Sequence, residues 1–570
     1  MEAAMDFFRK HATILSLVGV AAVIMASILG IYSRYIFSGF LYFDDTQLLP
    51  QAVFDVDRPF RTRFLIIDAV AKFGSFAALK VASSLYQPAI AVLIVLVLKR
   101  LGVAISIAFG LALFIVTYPL ATDQPFFVTG SHSAIGLFWA LCSLYAFMLA
   151  YEDATRRFFA LMIASFALAV VAAVSSPTMM IATFGPIIWI LTAMVFKRTR
   201  AEWALFTAAA AAVFSAIFFA FQFSHHEYLP MKGWLSYAPA EMITNLGVAI
   251  SMIFAETLGA PIFVSVVYFG GFAAIAAIAL RPAYSGAGKS GRGLVSSNPV
   301  ERARLFIFSS ACLVMAALSF SPASIIVNFR DRYIVPAFAL TALAILAPLA
   351  IATSRKSQSF RFMSLTILVV LAGMNIWMRH LDVAERFDPY LATHNKIAEL
   401  AASEKEHWPK RAQIVILLSD DAPFVTGGFK RQSTWYLRSL TRRKDILGLI
   451  GPAKLAKGSP FDPEASFSGK QYWREKNGRA ERVKMFGLEL GRPLFVYELD
   501  ATGRPLLTPV IFNSQEGRVL VRSGAVPAKV MKASNRILDC EVSSPEAFIW
   551  TGDSVAGGAK RTTPPIGNSC

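Results

Sequence analysis

The chain is poor in charged residues for its length, and this scarcity excludes an ordinary soluble protein. Of 570 residues, only 16% are Asp, Glu, Lys or Arg, whereas 56% are hydrophobic. A soluble chain of this size needs far more polar surface to face water. The composition therefore predicts a membrane protein with several spans.

Cysteine is also scarce, with four residues in the whole chain. Cys142 and Cys312 lie inside apolar runs and are expected to be small core residues. Cys540 and Cys570 lie in the polar C-terminal tail. They form a disulfide if the tail faces an oxidising compartment and stay a free pair if it does not, so the compartment decides.

Several signals of other functions are missing. The Gly/Ser-rich linker Tyr284–Asn298 has no strand before it and lacks the spacing of a phosphate loop. The tail shows no internal repeat and no metal-ligand spacing. The net charge of +18 suggests nucleic acid at first sight, but only +7 of it lies from Leu381 onward and the rest sits in short clusters between apolar runs. Such clusters are orientation signals, so no nucleic-acid partner is expected.

Apolar runs long enough to span a membrane recur between residues 13 and 378. The pattern predicts about eleven transmembrane helices: 13–33, 82–98, 101–119, 134–150, 158–174, 178–196, 203–223, 260–280, 305–320, 334–353 and 361–378.

Charge alternates between the connecting segments, and this alternation predicts the orientation. One set carries basic pairs such as Lys99-Arg100 and Arg156-Arg157, and the other carries the acidic segments. The positive-inside rule places the basic set and the N-terminus in the cytoplasm. An odd number of spans then places the tail outside, so we predict a bacterial inner-membrane protein with a periplasmic C-terminal domain.

The fold class predicted is thus an α-helical polytopic membrane protein with a small C-terminal α/β domain. The division is 1–380 for the membrane region and 381–570 for the tail. In the tail, a helix is expected over Asp388–Lys405, followed by strand-like runs. These runs are Ile414–Ser419, Pro493–Leu499, Leu506–Phe512 and Arg518–Arg522.

Two outer segments, Phe64–Ala82 and Asn245–Gly259, are expected to form helices along the membrane interface. The first of them carries Asp68, Lys72 and Lys80.

The stretch YFDDTQLL, Tyr42–Leu49, places Asp44 and Asp45 in the first outer loop. Apolar neighbours hold this pair near the interface, where partial desolvation raises a carboxylate pKa and makes it a better proton acceptor. One carboxylate can act as base while the other orients it or binds a cation. The alternative is a solvated loop without a chemical role.

A second motif, NFRDRYIVP, lies immediately before a predicted span. Arg330 and Arg332 flank Asp331 there, and two guanidiniums beside lipid head groups can hold a phosphate by charge-assisted hydrogen bonds. The alternative is a snorkelling pair, or a salt-bridged knot that pins the helix end. The sequence is compatible with both the phosphate site and the structural role.

Weaker candidates lie in the same outer loops. Arg58 and Arg61 add to an anion site or pair locally with Asp55 and Asp57. The pair His225-His226 lacks the spacing of a zinc helix, so a metal there is not expected. Glu256 is costly in lipid and is expected to face a cavity. The candidate substrate contacts are Tyr42, His132, His225, His226, Lys232 and Glu256.

Four features together resemble those of the C-type (GT-C) membrane glycosyltransferases. These features are the acidic pair in the first outer loop, the interfacial helix after it, the many spans and the outer tail. The resemblance implies a sugar donor carried on polyprenyl phosphate, with Asp44 or Asp45 as the catalytic aspartate. Arg330 and Arg332, in RDRYIVP, match the segment that handles the carrier phosphate in several members of that family.

This resemblance implies an inverting transfer of the sugar to an acceptor hydroxyl. The acceptor is a saccharide, a lipid or a protein, and no cofactor is required except, in one reading, a divalent cation such as Mg²⁺ or Mn²⁺. The main alternative is a transporter or flippase of a lipid-linked saccharide. A transporter predicts similar paired halves and charges near mid-membrane, whereas here the charges concentrate at one face.

Overall fold

The structure is a computed structural model. It describes residues 2–41, 75–152, 157–175, 239–258, 262–280, 305–306, 308–317, 319, 334–418 and 430–452, together with the short tail strands named below. The helices are α1 Glu2–Phe37, α2 Phe76–Ser84, α3 Tyr86–Arg100, α4 Ile105–Thr117, α5 His132–Glu152, α6 Arg157–Ser175, α7 Pro239–Leu258, α8 Ile262–Leu280, α9 Phe308–Ala317, α10 Val335–Ser354, α11 Gln358–Glu404 and α12 Lys430–Thr441.

Nine of the eleven predicted spans coincide with helices of the structure. The other two, 178–196 and 203–223, lie outside the described residues. Within the described ranges, six helical segments are long and apolar enough to cross a membrane by length and composition: Thr13–Phe37, Phe76–Arg100, His132–Ala150, Ile262–Leu280, Val335–Ser354 and Gln358–Glu404. The helical, multi-span part of the predicted fold class is therefore confirmed.

The predicted interfacial helices have different outcomes. Residues 245–258 are helical as part of α7, and the position of this helix along the membrane interface stays a prediction. For Phe64–Ala82, the described part begins at Ser75, and α2 leads into α3 through Leu85. Lys80 is fully buried, so its prediction as an interfacial charge is wrong. The reason is that its Nζ donates to the backbone carbonyl of Tyr35, 2.7 Å away, which gives the ammonium a partner inside the bundle.

Two glycines bring neighbouring helices together. Gly102 adopts φ = 86° and ends α3, while the Val103 amide donates back to the Leu98 carbonyl. Gly110, in α4, lies against α11: a β-carbon at this position would be 2.9 Å from Cβ of Leu368. The close contact between α4 and α11 therefore depends on the missing side chain, because no larger residue fits without a shift.

The longest helix, α11, joins two segments that the sequence divides. It is 47 residues long and contains both the predicted span 361–378 and most of the predicted tail helix. The predicted domain boundary at residue 381 falls inside it. Two compact units are present in the chain, one of Met1–Ile36, Phe60–Val70 and Ala78–Val383, and one of Phe37–Pro59, Ala71–Ala77 and Ala384–Cys570.

A mixed six-stranded sheet forms the centre of the second unit. The strands are β1 Gln413–Leu418, β2 Leu447–Pro452, β3 Trp473–Lys476, β4 Arg479–Arg482, β5 Leu494–Leu499, β6 Val510–Asn513, β7 Arg518–Val521, β8 Lys529–Lys532, β9 Ile549–Asp553 and β10 Gly558–Thr562. Their order in the sheet is β2-β1-β5-β6-β7-β8, with β1 parallel to β2 and to β5. The four strand-like runs predicted in the tail are β1, β5, β6 and β7.

Helix α12 is the crossover between the parallel strands β1 and β2. It packs closely on β2, since a β-carbon at Gly448 would lie 2.5 Å from the Leu437 side chain. Tyr436, also on α12, is buried, and its hydroxyl lies 2.6 Å from Nδ1 of His394. Trp408 donates to the Tyr497 hydroxyl at 2.7 Å and ties the end of α11 to β5.

Arg443 connects separate segments of this unit by hydrogen bonds. Its guanidinium donates to the backbone carbonyls of Lys405, Trp408 and Pro409, and to both carboxylate oxygens of Asp445 at 3.1 and 2.6 Å. The Arg411 amide also donates to Asp445. The hydrogen bonds from Arg443 hold the pKa of Asp445 well below its usual range. This pair therefore fixes the start of β1 against the start of β2.

We predict that the stabilising effect of Asp445 disappears on acidification. Its folded pKa is depressed, so the stability it contributes is complete above the pKa of an unfolded aspartate, about 3.9, and is lost as the pH falls through the folded value. The unfolding temperature of Asp445→Asn, relative to the parent, should be lower by a constant amount from pH 8 to 5. This difference should shrink as the pH falls below about 4.

Intrinsic fluorescence, recorded while the full chain is heated, measures the unfolding temperatures of the parent and of Asp445→Asn. Glu399→Gln, a change of an exposed carboxylate on α11, is the matched control and should show no such pattern. A difference between Asp445→Asn and the parent that grows on acidification would contradict the role of this pair.

Candidate functional site

Most of the predicted site residues lie outside the described residues. They are Asp44, Asp45, Tyr42, Arg58, Arg61, Arg330, Arg332, His225, His226, Lys232, Cys540 and Cys570. Glu256 lies near the C-terminal end of α7. Their proposed roles therefore stay predictions from the sequence.

His132 is the predicted substrate contact whose surroundings the structure describes. It is the first residue of α5 and follows the 3-10 turn Thr129–Ser131. The ring is buried, and its Nδ1 lies 3.2 Å from Oγ of Ser133. His132 thus occupies the end of the helix bundle that the charge pattern assigns to the outer face.

A buried arginine that the sequence did not identify lies at the same end. Arg379, on α11, is 7% exposed. Its Nε and Nη2 donate to the backbone carbonyl of Tyr118 at 3.1 and 2.7 Å, and its Nη1 lies 3.5 Å from the side-chain oxygen of Gln87. None of these acceptors is a carboxylate. The guanidinium is therefore hydrogen-bonded to neutral acceptors, and the carboxylate of Asp382, three residues further along α11, adds an electrostatic attraction.

The segment after α4 is built around this arginine. The Tyr118 ring stacks on Phe338 of α10 with centroids 4.3 Å apart, and the Leu120 amide donates to the same carbonyl that Arg379 uses. Ala121 then adopts φ = 54°, uncommon for a residue with a side chain. Thr122 donates to the carboxylate of Asp382, one turn beyond Arg379. Two side chains of α11 thus fasten residues 118–128, which we call the outer segment because the charge pattern predicts that they lie at the outer face.

Lys80 and Tyr35 form a second connection at this end. The buried Nζ of Lys80 donates to the Tyr35 carbonyl, and the Tyr35 hydroxyl donates to the carbonyl of Val383 at 3.2 Å. The Tyr35 ring stacks on Phe126 at 5.1 Å. Helices α1, α2 and α11 and the segment containing Phe126 therefore meet through buried polar and aromatic contacts.

Two small cavities touch both Arg379 and Gln87. The larger has a volume of about 30 Å³ and is also lined by Tyr118, Gln124 and Phe338. The smaller, of about 10 Å³, is lined by Tyr32 and Thr117 as well. The larger has room for about two water molecules, because one needs roughly 10–15 Å³ measured in this way.

Unused hydrogen-bonding capacity faces the larger cavity. Gln124 is 4% exposed, and its amide nitrogen has no hydrogen-bond partner among the described residues. The Arg379 guanidinium lines the same space. A buried polar group without a partner is costly, so water or a polar ligand group in this cavity would be stabilised by both donors. The arrangement suits an acceptor-rich or anionic group.

Metal ligation finds no support in the described part of the chain, which contains no group of three or more His, Cys, Asp or Glu residues arranged to hold an ion. The acidic pair Asp44 and Asp45 lies outside that part. The divalent cation left open by the sequence therefore stays an open prediction.

The residues that the sequence missed carry a signal in retrospect. Arg379 stands directly after the predicted span 361–378, where it looks like an ordinary boundary charge. A basic residue at the outer end of a span runs against the positive-inside bias, as Arg330 and Arg332 also do. Lys80, Gln87 and Gln124 have no such signal, because their burial depends on contacts between distant helices.

Comparison with known proteins gives a likeness at the level of the whole chain. No family model and no curated protein matches the sequence. Among solved structures, the chain is similar to the crystal structure of ArnT from Cupriavidus metallidurans bound to undecaprenyl phosphate. The TM-score is 0.44 and the identity 12%, over 86% of this chain and 93% of the other.

We predict that Arg379→Gln loosens the outer segment without unfolding the bundle. Hydrogen bonds from a charged group are worth about 1.5–3 kcal/mol each, so amide exchange in residues 118–128 should accelerate by about tenfold or more. Hydrogen–deuterium exchange of the protein in nanodiscs measures this rate. Arg386→Gln, on the exposed face of the same helix, is the control for charge loss. Unchanged exchange in 118–128 would contradict the fastening role.

Proposed function

We propose that this chain is a membrane glycosyltransferase. It moves a sugar from a polyprenyl-phosphate carrier to an acceptor hydroxyl at the periplasmic face of a bacterial inner membrane. The observation that carries the proposal is the buried Arg379 with its cavities, at one end of a bundle that is mostly apolar. A membrane protein places a buried cation among apolar helices at a cost, and such residues mark functional sites.

Sequence connectivity links the end of the bundle that contains Arg379 to the motifs YFDDTQLL and NFRDRYIVP. Helix α1 ends at Phe37, seven residues before Asp44, and α10 begins at Val335, three residues after Arg332. The start of α10 is fixed by the stacking of Phe338 on Tyr118, and Arg379 donates to the Tyr118 carbonyl. The motifs thus adjoin in sequence the helix ends that surround the buried cation. This adjacency in sequence supports a role for both motifs in the same transfer reaction.

The chemistry follows from the residue types. Asp44 or Asp45 removes the proton from the acceptor hydroxyl, and the oxygen attacks the anomeric carbon of the carrier-linked sugar. The bond from that carbon to the phosphate oxygen breaks, and its electron pair leaves with the polyprenyl phosphate. Arg330 and Arg332 stabilise the charge that grows on this leaving group. A single displacement of this kind inverts the anomeric centre.

The remaining candidates have supporting roles in this proposal. Arg58 and Arg61 add positive charge for the carrier phosphate. The proposed sugar or acceptor contacts are Tyr42, His132, His225, His226, Lys232 and Glu256. Because the donor is lipid-linked, its hydrocarbon chain stays in the bilayer beside the spans, and no nucleotide sugar is needed outside the cytoplasm.

We predict that Asp44→Asn and Asp45→Asn have unequal effects on sugar transfer. Loss of a general base lowers the rate by about 10²–10⁴-fold, so the variant lacking the base should fall in this range, while Asn keeps the side-chain size. The assay uses the purified protein and follows radiolabelled sugar from synthetic polyprenyl-phosphate donors into membrane lipid and polysaccharide acceptors.

Glu385→Gln, an exposed carboxylate change on α11, is the matched control and should keep the parent rate. If the Asp44 and Asp45 variants both transfer sugar as fast as the parent, the proposed mechanism is wrong.

A further inference from the structure

An exposed basic surface lies at one end of the second unit. It consists of Lys405, Lys410, Arg411, Arg442 and Lys444, and we call it the basic rim. The first three belong to the segment between α11 and β1, and the other two to the turn between α12 and β2. Two segments that are more than thirty residues apart in the sequence thus contribute charges of the same sign.

Arg443 and Asp445 hold the two segments of the basic rim together. The Arg443 guanidinium reaches the carbonyls of Lys405 and Pro409 at 3.1 and 2.8 Å, and the Arg411 amide lies 2.9 Å from the Asp445 carboxylate. Asp445 is therefore occupied by Arg443 and does not neutralise the rim. The scaffold brings five exposed cations to one surface.

The carboxylates on these segments offset the rim only in part. Glu404 accepts a hydrogen bond from the Tyr497 hydroxyl, and Glu406 is exposed. With Asp445 they make three carboxylates against six cations, Arg443 included. These two segments together carry a net positive charge, which attracts anions over about one Debye length, roughly 8 Å at physiological salt.

Backbone geometry places an arginine at each of two turns. Arg411 has φ = 61° and Arg442 has φ = 57°, both in the left-handed region that favours glycine or asparagine. Arg442 directly follows the last residue of α12, where this conformation is a common helix ending. Both arginine side chains are exposed.

The composition of the basic rim selects among anionic partners. The large exposed apolar side chains in the described residues run from Ile14 to Leu381, and none belongs to the rim. Surfaces that bind membranes combine cations with apolar anchors, and protein interfaces are centred on aromatic and apolar residues and depleted of lysine. A surface of lysine and arginine alone suits a hydrophilic polyanion.

We propose that the basic rim binds an acidic polysaccharide, a chain that carries repeated carboxylate groups. The cations are spread over two segments, which suits charges repeated along a chain better than one compact anion. The binding is electrostatic and depends on salt. This role is independent of the proposed sugar transfer, because it requires only the second unit and no chemical step.

The experiment measures binding of fluorescently labelled oligogalacturonate to the full chain in nanodiscs of neutral lipid. The test variant carries Lys405→Gln, Lys410→Gln, Arg411→Asn, Arg442→Asn and Lys444→Gln, where asparagine tolerates the left-handed backbone. We expect its affinity to fall by about tenfold or more at low salt, and we expect parent binding to weaken steeply as salt rises.

A control variant loses the same number of charges elsewhere. It carries Lys99→Gln, Arg100→Gln, Arg355→Gln, Lys356→Gln and Arg386→Gln, and it should bind like the parent. Thermal unfolding checks that both variants are folded, and the single variants Lys410→Gln and Lys444→Gln replace the test variant if it is not. Each should then bind measurably more weakly than the parent.

Three results would overturn the proposal. One is equal affinity of the folded test variant and the parent for oligogalacturonate. Another is equal binding of labelled neutral dextran, which would mean that charge is not recognised. The last is a clear preference for phosphatidylglycerol vesicles or single-stranded DNA over oligogalacturonate, which would assign the basic rim to another class of partner. Sugar-transfer activity is not measured, so failure here leaves the proposed function untouched.

Discussion

The bonds from the Arg379 guanidinium to the Tyr118 carbonyl connect three elements of the first unit: the segment after α4, the start of α10 and the helix α11. A cation buried among apolar helices is stable only when its donors find acceptors, and here a main-chain carbonyl supplies them. That carbonyl belongs to the residue that ends α4 and stacks on α10. The position of the outer segment, the start of α10 and the end of the span in α11 therefore depend on one another.

Two cavities lie beside this arginine. Gln87 and Arg379 line both, and Gln124 adds an amide without a partner in the described residues. Water or a polar ligand group can fill such gaps beside a buried arginine. We interpret the cluster as a polar binding position within the first unit.

Nine of the predicted spans coincide with helices, but only six helical segments of the described residues are long and apolar enough to cross a membrane. The sequence also predicted four tail strands from β-branched and aromatic runs. It missed the continuity of α11, since polar residues after Arg379 resemble the end of a span although the helix continues past Pro389. It also missed the helix α12 and the strand β2, LGLIGP, whose glycines and proline resemble a turn. The burial of Lys80 and Arg379 could not be predicted, because it arises from contacts between segments far apart in the sequence.

The most direct test of the central claim is the fate of the lipid carrier in proteoliposomes. The donor is a polyprenyl-phosphate sugar labelled in both the lipid and the sugar, and thin-layer chromatography separates intact donor, free polyprenyl phosphate and glycosylated acceptor. A glycosyltransferase releases one polyprenyl phosphate for each glycosidic bond formed, and our account predicts this equality. Movement of intact donor across the bilayer, with neither carrier release nor a glycosylated product, would contradict it and identify a transporter.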